Sequence, residues 1–333
     1  MSKVRMAILG CGGMAGGHAQ RFAKHPDVEV VALSDVSQEI LDGFIERNLQ
    51  DVEPKPQTFT DPAEMYAVAK PDAVTIVTPH TMHFDHAMQA LDAGCHILME
   101  KPMVTESGQA HELAAKVEES GKVFVIGYNT PCTPAINYIR DTIRSGELGK
   151  LELVSGWLTQ NWMKATIGTW RQKPELSGGG QMYDSGAHIF NTLVWTVEQP
   201  VEAVHAFVDN LGTPVDINGT ANIKFENGTL ATLTISGNCP ADGSDMVFIF
   251  ENGRIECDGW GGSWLKVWKG NQEQTDLKLD TSSSTPGENF IDAILGRAEP
   301  RTSPRNGINQ SEIMDAIYES ARTGAVAKPK SRQ

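Results

Sequence analysis

Val4-Arg5-Met6-Ala7-Ile8-Leu9-Gly10-Cys11-Gly12-Gly13-Met14-Ala15 is the stretch whose reading decides the fold. Its first six residues make a compact apolar strand, the next six read G-x-G-x-x-A, and a helical stretch follows from about Met14 to Lys24. In a strand–turn–helix unit the first glycine permits the tight turn and the second lets backbone approach a pyrophosphate. The small third residue allows helix and strand to pack closely, and phosphate sits on the helix N-terminus. A glycine-rich turn with no ligand is the bland alternative.

Context weighs against that alternative. A second buried strand, Val28-Glu29-Val30-Val31-Ala32-Leu33, ends at Ser34-Asp35. An acid there is placed to accept hydrogen bonds from the adenosine ribose hydroxyls. Val36 and Ser37 follow it, with no Arg to receive a 2′-phosphate, so the expected cofactor is NAD in preference to NADP. The rival role for Asp35 is to cap a helix starting near Ser37.

The alternation continues outward. Asp61-Pro62 starts a helix by cap and first-turn proline. Ala73-Val74-Thr75-Ile76-Val77 is a strand, and a helix runs from Thr81 to Ala93, closed by Gly94. Cys95-His96-Ile97-Leu98 is a short strand, followed by Met99-Glu100-Lys101-Pro102. A helix from about Glu106 to Ser120 and a strand from Lys122 to Gly127 complete the set. Strands and helices alternating at this spacing mean a doubly wound parallel sheet. Its strand ends Thr78-Pro79-His80 and Glu100-Lys101-Pro102 are expected to line the cofactor crevice. A Lys at the carboxyl end of a parallel strand points into the crevice where such sheets bind ligands, and the X-Pro bond after it is able to be cis. His80, His83 and His86 are spaced by three, which spreads them over a helix face without a supporting cluster, so no metal site is expected. His83 alone is a candidate for contact with cofactor or substrate.

Length and composition agree with this. The 333 residues suggest two domains, 1–127 and 128–333, with the closing helices free to pack back on the first. Composition is 40% hydrophobic and 21% charged, and no apolar run reaches the roughly 20 residues of a membrane span. A net charge of −14 with dispersed basic residues excludes nucleic acid and anionic membrane as expected partners. Five scattered cysteines imply reduced thiols, and no secretory segment is evident, so the expected compartment is the cytoplasm.

After Gly127 the texture changes. A helix bearing Ile136, Ile139 and Ile143 stops at Gly146, and alternating strand segments follow from Leu151 to Trp268. Asn227-Gly228 and Asn252-Gly253 mark hairpin turns. The expected element is a large open sheet, mostly antiparallel, with helices on one face. Covering its other face by self-association gives a homodimer or homotetramer. Before most of these strands lies Ser177-Gly178-Gly179-Gly180-Gln181-Met182-Tyr183-Asp184-Ser185-Gly186-Ala187-His188. The three glycines let a ligand or another backbone come close. Read as helix, the continuation makes Asp184 and His188 neighbours on one face, with Asn191 on the same side. A carboxylate beside an imidazole can fix its tautomer and favour its charged form, as a general base near neutral pH requires. An inconsequential surface pair is the rival. Trp157, Trp162 and Trp170 offer indole faces suited to sugar rings or to plain packing, and Arg171 suits a hydroxyl or a carboxylate.

In order, these features resemble the glucose–fructose oxidoreductase/inositol dehydrogenase (Gfo/Idh/MocA) family. The resemblance runs nearly end to end, from Gly10–Met14 and Asp35 through Thr78-Pro79-His80 with His83, Glu100-Lys101-Pro102 and Gly178–His188 to closing helices around Asn289–Ile294 and Ala316–Ala321. It implies an N-terminal Rossmann domain and a C-terminal substrate domain. It also implies NAD(P)-dependent hydride transfer at a carbinol carbon of a sugar, cyclitol or related polyol. Lys101, Asp184 and His188 match the family's catalytic set. The cofactor candidates are Gly10, Gly12, Gly13, Met14, Asp35, Thr78, Pro79, His80, His83, Glu100 and Lys101. The substrate candidates are Lys101, Asn129, Trp162, Arg171, Asp184, His188 and Asn191. Ala15 departs from the usual third glycine, and Asn191 stands where many members carry Asp. The alternatives are a redox-neutral NAD enzyme that cleaves or epimerises glycosides, a dihydrodiol-type dehydrogenase, and a non-catalytic NAD-binding regulator.

Overall fold

The computed structural model describes residues 3–280 and 284–329, and the chain divides into two compact units. The first takes the chain up to Val104, Gly108–Gly127 and Ser284–Pro304. The second takes Thr105–Ser107, the stretch that begins at Tyr128 and the stretch that begins at Arg305. Among the described residues no helix is long and apolar enough to cross a membrane.

The first unit is built on six parallel strands: β1 (Val4–Leu9), β2 (Val28–Ser34), β3 (Gln57–Phe59), β4 (Ala73–Ile76), β5 (His96–Met99) and β6 (Phe124–Ile126). They lie in the order β3-β2-β1-β4-β5-β6, so the winding reverses between β1 and β4. In doubly wound sheets the ligand crevice opens at that reversal. The inner strands are apolar on both sides, and all four residues of β4 are buried, as expected when helices cover both faces. Those helices are α1 (Gly13–Lys24), α2 (Gln38–Asn48), α3 (Pro62–Ala69), α4 (His83–Asp92), α5 (Ser107–Ser120) and a late helix, α10 (Pro286–Ile294). Ala15, Ala19 and Phe22 of α1 and Phe290 and Ile291 of α10 share one core with Met6, Ile8, Leu33 and Leu98 of the sheet.

Two boundaries differ from the sequence reading. The helix expected from Thr81 begins as a 3-10 turn, His80–Met82, before α4 takes over. Cys95 belongs to the end of the helix and not to the strand, because its N–H still donates to the Ala90 carbonyl at 3.0 Å. The Lys101–Pro102 bond is cis.

The second unit carries eight strands: β7 (Leu151–Thr159), β8 (Val201–Asp209), β9 (Asn218–Phe225), β10 (Leu230–Ser236), β11 (Gly243–Phe250), β12 (Gly253–Cys257), β13 (Leu265–Lys269) and β14 (Gln272–Gln274). Their order is β14-β13-β12-β11-β7-β10-β9-β8, and every pairing is antiparallel except β7 with β10. Asn227-Gly228 makes the expected turn, with Gly228 at φ +89°. Gly253 does something else: it is already in β12, where a side chain would overlap the Trp268 carbonyl of the next strand.

Helices of this unit are α6 (Pro134–Ser145), the short α7 (Trp162–Ala165) and α8 (Pro174–Ser177), α9 (Gly186–Val197) and α11 (Pro304–Thr323). All twelve residues of α9 are buried, so its apolar character runs all round instead of along one stripe. Ile189, Phe190, Leu193 and Val194 join Val154, Leu233 and Phe248 of the sheet and Ile313 and Ile317 of α11 in one core. At roughly 1.5–3 kcal/mol for each such side chain fully buried, α9 is held as firmly as any element of the unit.

The glycine run that leads into α9 is shaped by the protein's own atoms. Gly178 sits at φ +71°, and a Cβ there would lie 2.5 Å from Thr105. At Gly179 a Cβ would overlap the Tyr318 hydroxyl, and at Gly180 the Asp216 backbone. The Asp216 carboxylate accepts from Gly180 N–H and Met182 N–H at 2.7 Å each and from Tyr318 Oη at 2.6 Å. Burial pushes the Asp216 carboxyl above its ordinary range, and these three bonds oppose that rise. At Gly180 the run therefore admits another backbone, and at Gly178 and Gly179 it admits side chains of Thr105 and Tyr318.

Two alanine substitutions separate space kept for the protein from space kept clear. Gly180→Ala should lower the unfolding free energy by about 3 kcal/mol through overpacking against Asp216. Gly12→Ala, whose added Cβ meets nothing within 4 Å, should change it by less than about 0.5 kcal/mol. Urea unfolding of both variants measures the contrast, and equal losses would contradict it.

Candidate active site

In the first unit the site begins where β1 ends. Gly10 is at φ +91°, and a Cβ there would lie 2.8 Å from the Val77 carbonyl at the end of β4, so only glycine fits the crossing. Gly12 and Gly13 face open space, with nothing within 4 Å of an added Cβ. Gly12 caps α1 without any side-chain bond to the first turn, and that turn contains no acidic residue. The first N–H groups of α1 are thus left to an outside anion, and the empty space in front of them suits a pyrophosphate.

Asp35 stands beside this mouth. Its Oδ2 accepts the Cys11 N–H at 2.8 Å, fixing the loop from the end of β2. It does not cap α2: that role belongs to Ser37, whose hydroxyl accepts from Ile40 N–H. Burial, followed by the Asp35 charge, pushes the Cys11 thiol up to about 12, so this cysteine is a neutral packing group. Met14 is 57% exposed at the start of α1.

The ends of β4 and β5 are joined by His83. Its Nδ1 lies 2.7 Å from the Pro102 carbonyl and its Nε2 lies 2.9 Å from the Thr78 carbonyl, with the side chain fully buried. His83, a candidate for contact with cofactor or substrate, thus lies buried at the ends of β4 and β5. Burial lowers the His83 pKa, so its single N–H donates to one of these two carbonyls, and the ring lies between the Thr78 turn and the Lys101–Pro102 turn. His86 instead meets the Thr78 hydroxyl at 3.0 Å, and His80 packs edge-on against His83 at 5.8 Å between centroids. Pro79 precedes the His80–Met82 turn as its N-terminal residue.

Glu100 and Lys101 leave the carboxyl end of β5. The Glu100 Oε1 lies 2.8 Å from His18 Nε2, and its Oε2 accepts the Lys101 backbone N–H at 3.2 Å. Burial alone would raise the Glu100 carboxyl, but the bond and charge of His18 and the charge of Lys101 outweigh it and hold it at about 2. Gly127 makes room for the carboxylate, since a Cβ there would come within 3.1 Å of Oε1. Glu100 is thereby occupied with the protein on both oxygens. His18 carried no signal in the sequence. It is one helical residue among twelve, and only the fold brings it to β5.

In the second unit the sequence placed Asp184 and His188 four apart on one helix face. The structure corrects this: α9 starts at Gly186, and Asp184 lies in the turn before it. Asp184 Oδ2 accepts from the Trp162 indole N–H at 2.8 Å and from Arg171 Nε at 2.9 Å. Trp162 is 5% exposed and packs with Val215 and Ile217, so it supports the carboxylate and is not an open platform for a sugar ring. Arg171, a candidate for a substrate hydroxyl or carboxylate, pairs through Nε with the protein's own Asp184, and its guanidinium lies over the Trp170 ring at 4.6 Å.

His188, 7% exposed, occupies the first turn of α9. Its ring stacks on Trp260 with centroids 4.7 Å apart and an 18° tilt. Tyr128 meets it edge-on at 6.0 Å and 90°. Neither aromatic was singled out in the sequence, because both lie far from His188 along the chain. Asn191 is fully buried, its amide nitrogen 3.4 Å from the Thr130 hydroxyl. Asn129 is exposed just before the turn Thr130–Cys132.

Residues 4–128 match the oxidoreductase family with an NAD-binding Rossmann fold, Gfo/Idh/MocA, and residues 136–256 match the C-terminal domain of the same family. The chain belongs to the Gfo/Idh/MocA family. It is therefore an oxidoreductase with a dinucleotide-binding first unit. Among relatives of this family, D-glucoside 3-dehydrogenase of Escherichia coli is 28% identical over 97% of each chain. The NADP-dependent D-xylose 1-dehydrogenase of Haloarcula marismortui is 24% identical over 77% of this chain and 74% of its own. The WlbA dehydrogenase of Bordetella pertussis, solved with NADH and UDP-GlcNAcA, shares the fold with a TM-score of 0.86 at 24% identity over 98% of both chains.

The His18–Glu100 pair should be visible in acid. The Glu100 pKa is depressed in the folded state, so its contribution is complete above the unfolded value near 4.5 and fades as pH falls from there towards about 2. A depression of this size corresponds to roughly 3 kcal/mol as an order of magnitude. Glu100→Gln should lower stability at pH 7 and flatten its pH dependence between about 4.5 and 2. Unfolding midpoints measured across that range check this, and an unchanged slope would remove Glu100 as a source.

Proposed function

We propose that the chain is an NAD-dependent dehydrogenase acting on a carbinol carbon of a sugar, cyclitol or related polyol. The observation that carries the reading is that Lys101 leaves the carboxyl end of β5 in the same parallel sheet whose β1 and β2 lead to Gly12 and Asp35. Near full-length similarity to a D-glucoside 3-dehydrogenase supports the substrate class. A bound nicotinamide dinucleotide supplies the hydride acceptor, or the donor in the reverse direction.

In this reading Gly12, Gly13 and the α1 N-terminus hold the pyrophosphate, with Gly10 and Met14 shaping the loop. Asp35 keeps Oδ2 on Cys11 and offers Oδ1 to ribose hydroxyls. A 2′-phosphate would meet that carboxylate and find Val36 and Ser37 in place of a cation, which favours NAD over NADP. Thr78, Pro79 and His80 wall the crevice. Lys101 donates to the substrate oxygen as alkoxide character develops, and His188 takes the hydroxyl proton on its ring. Asp184, pinned through Oδ2 by Trp162 and Arg171, places a carboxylate in the turn before His188 that favours the imidazole as it becomes charged. Asn191 and Asn129 are the remaining polar groups assigned to the substrate side.

Lys101→Ala should lower kcat/KM by about 10²–10³, the loss of one donor to a developing oxyanion. Its NAD affinity, followed by protein fluorescence, should stay within about threefold of wild type. The assay is a panel of sugars, glycosides and cyclitols with NAD and with NADP, read by absorbance of the reduced nicotinamide. Loss of NAD binding with turnover intact would reverse the assignment of Lys101.

The open face of the eight-stranded sheet is assigned to a second copy of the chain. Cross-strand neighbours Ile249, Leu153 and Leu230 share that face with Trp157 and Phe207, and Phe207 is 63% exposed. Sedimentation at micromolar concentration should give a dimer or tetramer, and Phe207→Glu with Leu230→Glu should shift it towards monomer. A monomeric wild type would end this assignment.

A further inference from the structure

Trp260 lies in a short loop whose folding is dictated by one carboxylate. Asp258 Oδ1 accepts the N–H of Trp260 and of Gly261 at 3.1 Å each and the Ser244 hydroxyl at 2.8 Å. Its Oδ2 accepts from Ser263 twice, the N–H at 3.2 Å and the hydroxyl at 2.8 Å. Such a set fixes every residue from 258 to 263 relative to β11, where Ser244 resides.

The loop is also tied to the helix that carries His188. The Thr192 hydroxyl lies 2.8 Å from the Gly259 carbonyl and 3.1 Å from the His188 carbonyl, so its single proton is shared between loop and helix. Gly259 can approach only because it lacks a side chain: a Cβ would lie 2.6 Å from Met246 Cγ and 3.5 Å from Ile189 Cδ1. Gly262 presses on α6 in the same way, at φ +60° and with a Cβ position 2.5 Å from the Thr133 hydroxyl. The loop is therefore docked at three points, and the docking lays the indole flat on the imidazole at 4.7 Å.

We propose that Trp260 is a positioning residue for His188. The stacked indole closes one face of the imidazole to water, while Tyr128 meets it edge-on. Together they leave the ring one orientation in which its nitrogens reach the substrate hydroxyl. The π face of the indole is also favourable to the charge the imidazole gains when it takes that proton. Core packing alone needs neither a parallel stack on an ionisable ring nor a loop folded around Asp258. The inference rests on His188 acting as the base, and the test keeps the two apart.

Three full-length variants, Trp260→Leu, Trp260→Phe and His188→Ala, are compared with wild type. In the free protein, carbon–proton spectra of histidine should show one imidazole displaced upfield by the indole ring current. That signal should vanish in His188→Ala and return to the ordinary range in Trp260→Leu. With the best polyol of the panel and NAD, Trp260→Leu should lose about tenfold in kcat while both KM values move less than about threefold. Its primary deuterium isotope effect should rise, because the chemical step becomes slower relative to release. Trp260→Phe, which keeps a stacking face, should recover most of the lost rate. A merely structural tryptophan would give the same kcat in Leu and Phe variants, or a loss confined to KM, and either result overturns the inference. If His188→Ala keeps its turnover, the base assignment falls and this inference with it.

Discussion

A carboxylate taken out of water must be met by donors or give up its charge. That constraint organises loops in each of the two units. Glu100 keeps its charge at the end of β5 because His18 on α1 reaches it at 2.8 Å. Asp184 is met by Trp162 and Arg171, Asp216 by Gly180, Met182 and Tyr318, and Asp258 by the loop that presents Trp260. For Glu100, Asp184 and Asp216 donors come from distant sequence, and for Asp258 they come mostly from its own loop, so satisfying the oxygens also fixes the path of a loop. Breaking one of these sets would strand a buried charge, which costs more than the pair contributes when intact.

The first unit was legible because its signals are local. The G-x-G-x-x-A turn, Asp35 after β2 and the strand ends at Thr78 and Lys101 all depend on residues close in sequence. What sequence could not give was the use of each group. His83 sits between two backbone carbonyls, those of Thr78 and Pro102, a placement that depends on β4 and β5 lying side by side. Glu100, a cofactor candidate in the sequence, is held by the fold against His18 of α1 at 2.8 Å.

The second unit was legible as a sheet and misleading as a site. Alternation and the Asn-Gly turn at 227–228 were enough for a large, mostly antiparallel sheet. The Asp184–His188 spacing was read as helical, yet the chain reaches helix only at Gly186, after a turn imposed by Asp216. In sequence Trp162 suits a sugar ring or plain packing, and Arg171 suits a hydroxyl or a carboxylate. Their engagement with Asp184 is a tertiary contact with no periodic signature. Trp260 and Tyr128 escaped for the same reason.

Glycines show most clearly why composition alone does not separate function from packing. Gly12 and Gly13 face open space in front of an uncapped helix, so nothing in the protein forbids a side chain there. Gly178, Gly179 and Gly180 each have a neighbour where a Cβ would go. The two runs look alike in sequence, and the longer one lies closer to the candidate catalytic residues. Selection of glycine at the first is explained by what the loop must admit from outside, and at the second by what the fold has already put there. A glycine-rich motif thus argues for a ligand only when the space it leaves is left empty by the protein itself. By that criterion the dinucleotide loop qualifies and the run before α9 does not. In the second unit the candidate residues Asp184 and His188 are held instead by aromatic and cationic groups, Trp162 and Arg171 for the one and Trp260 and Tyr128 for the other.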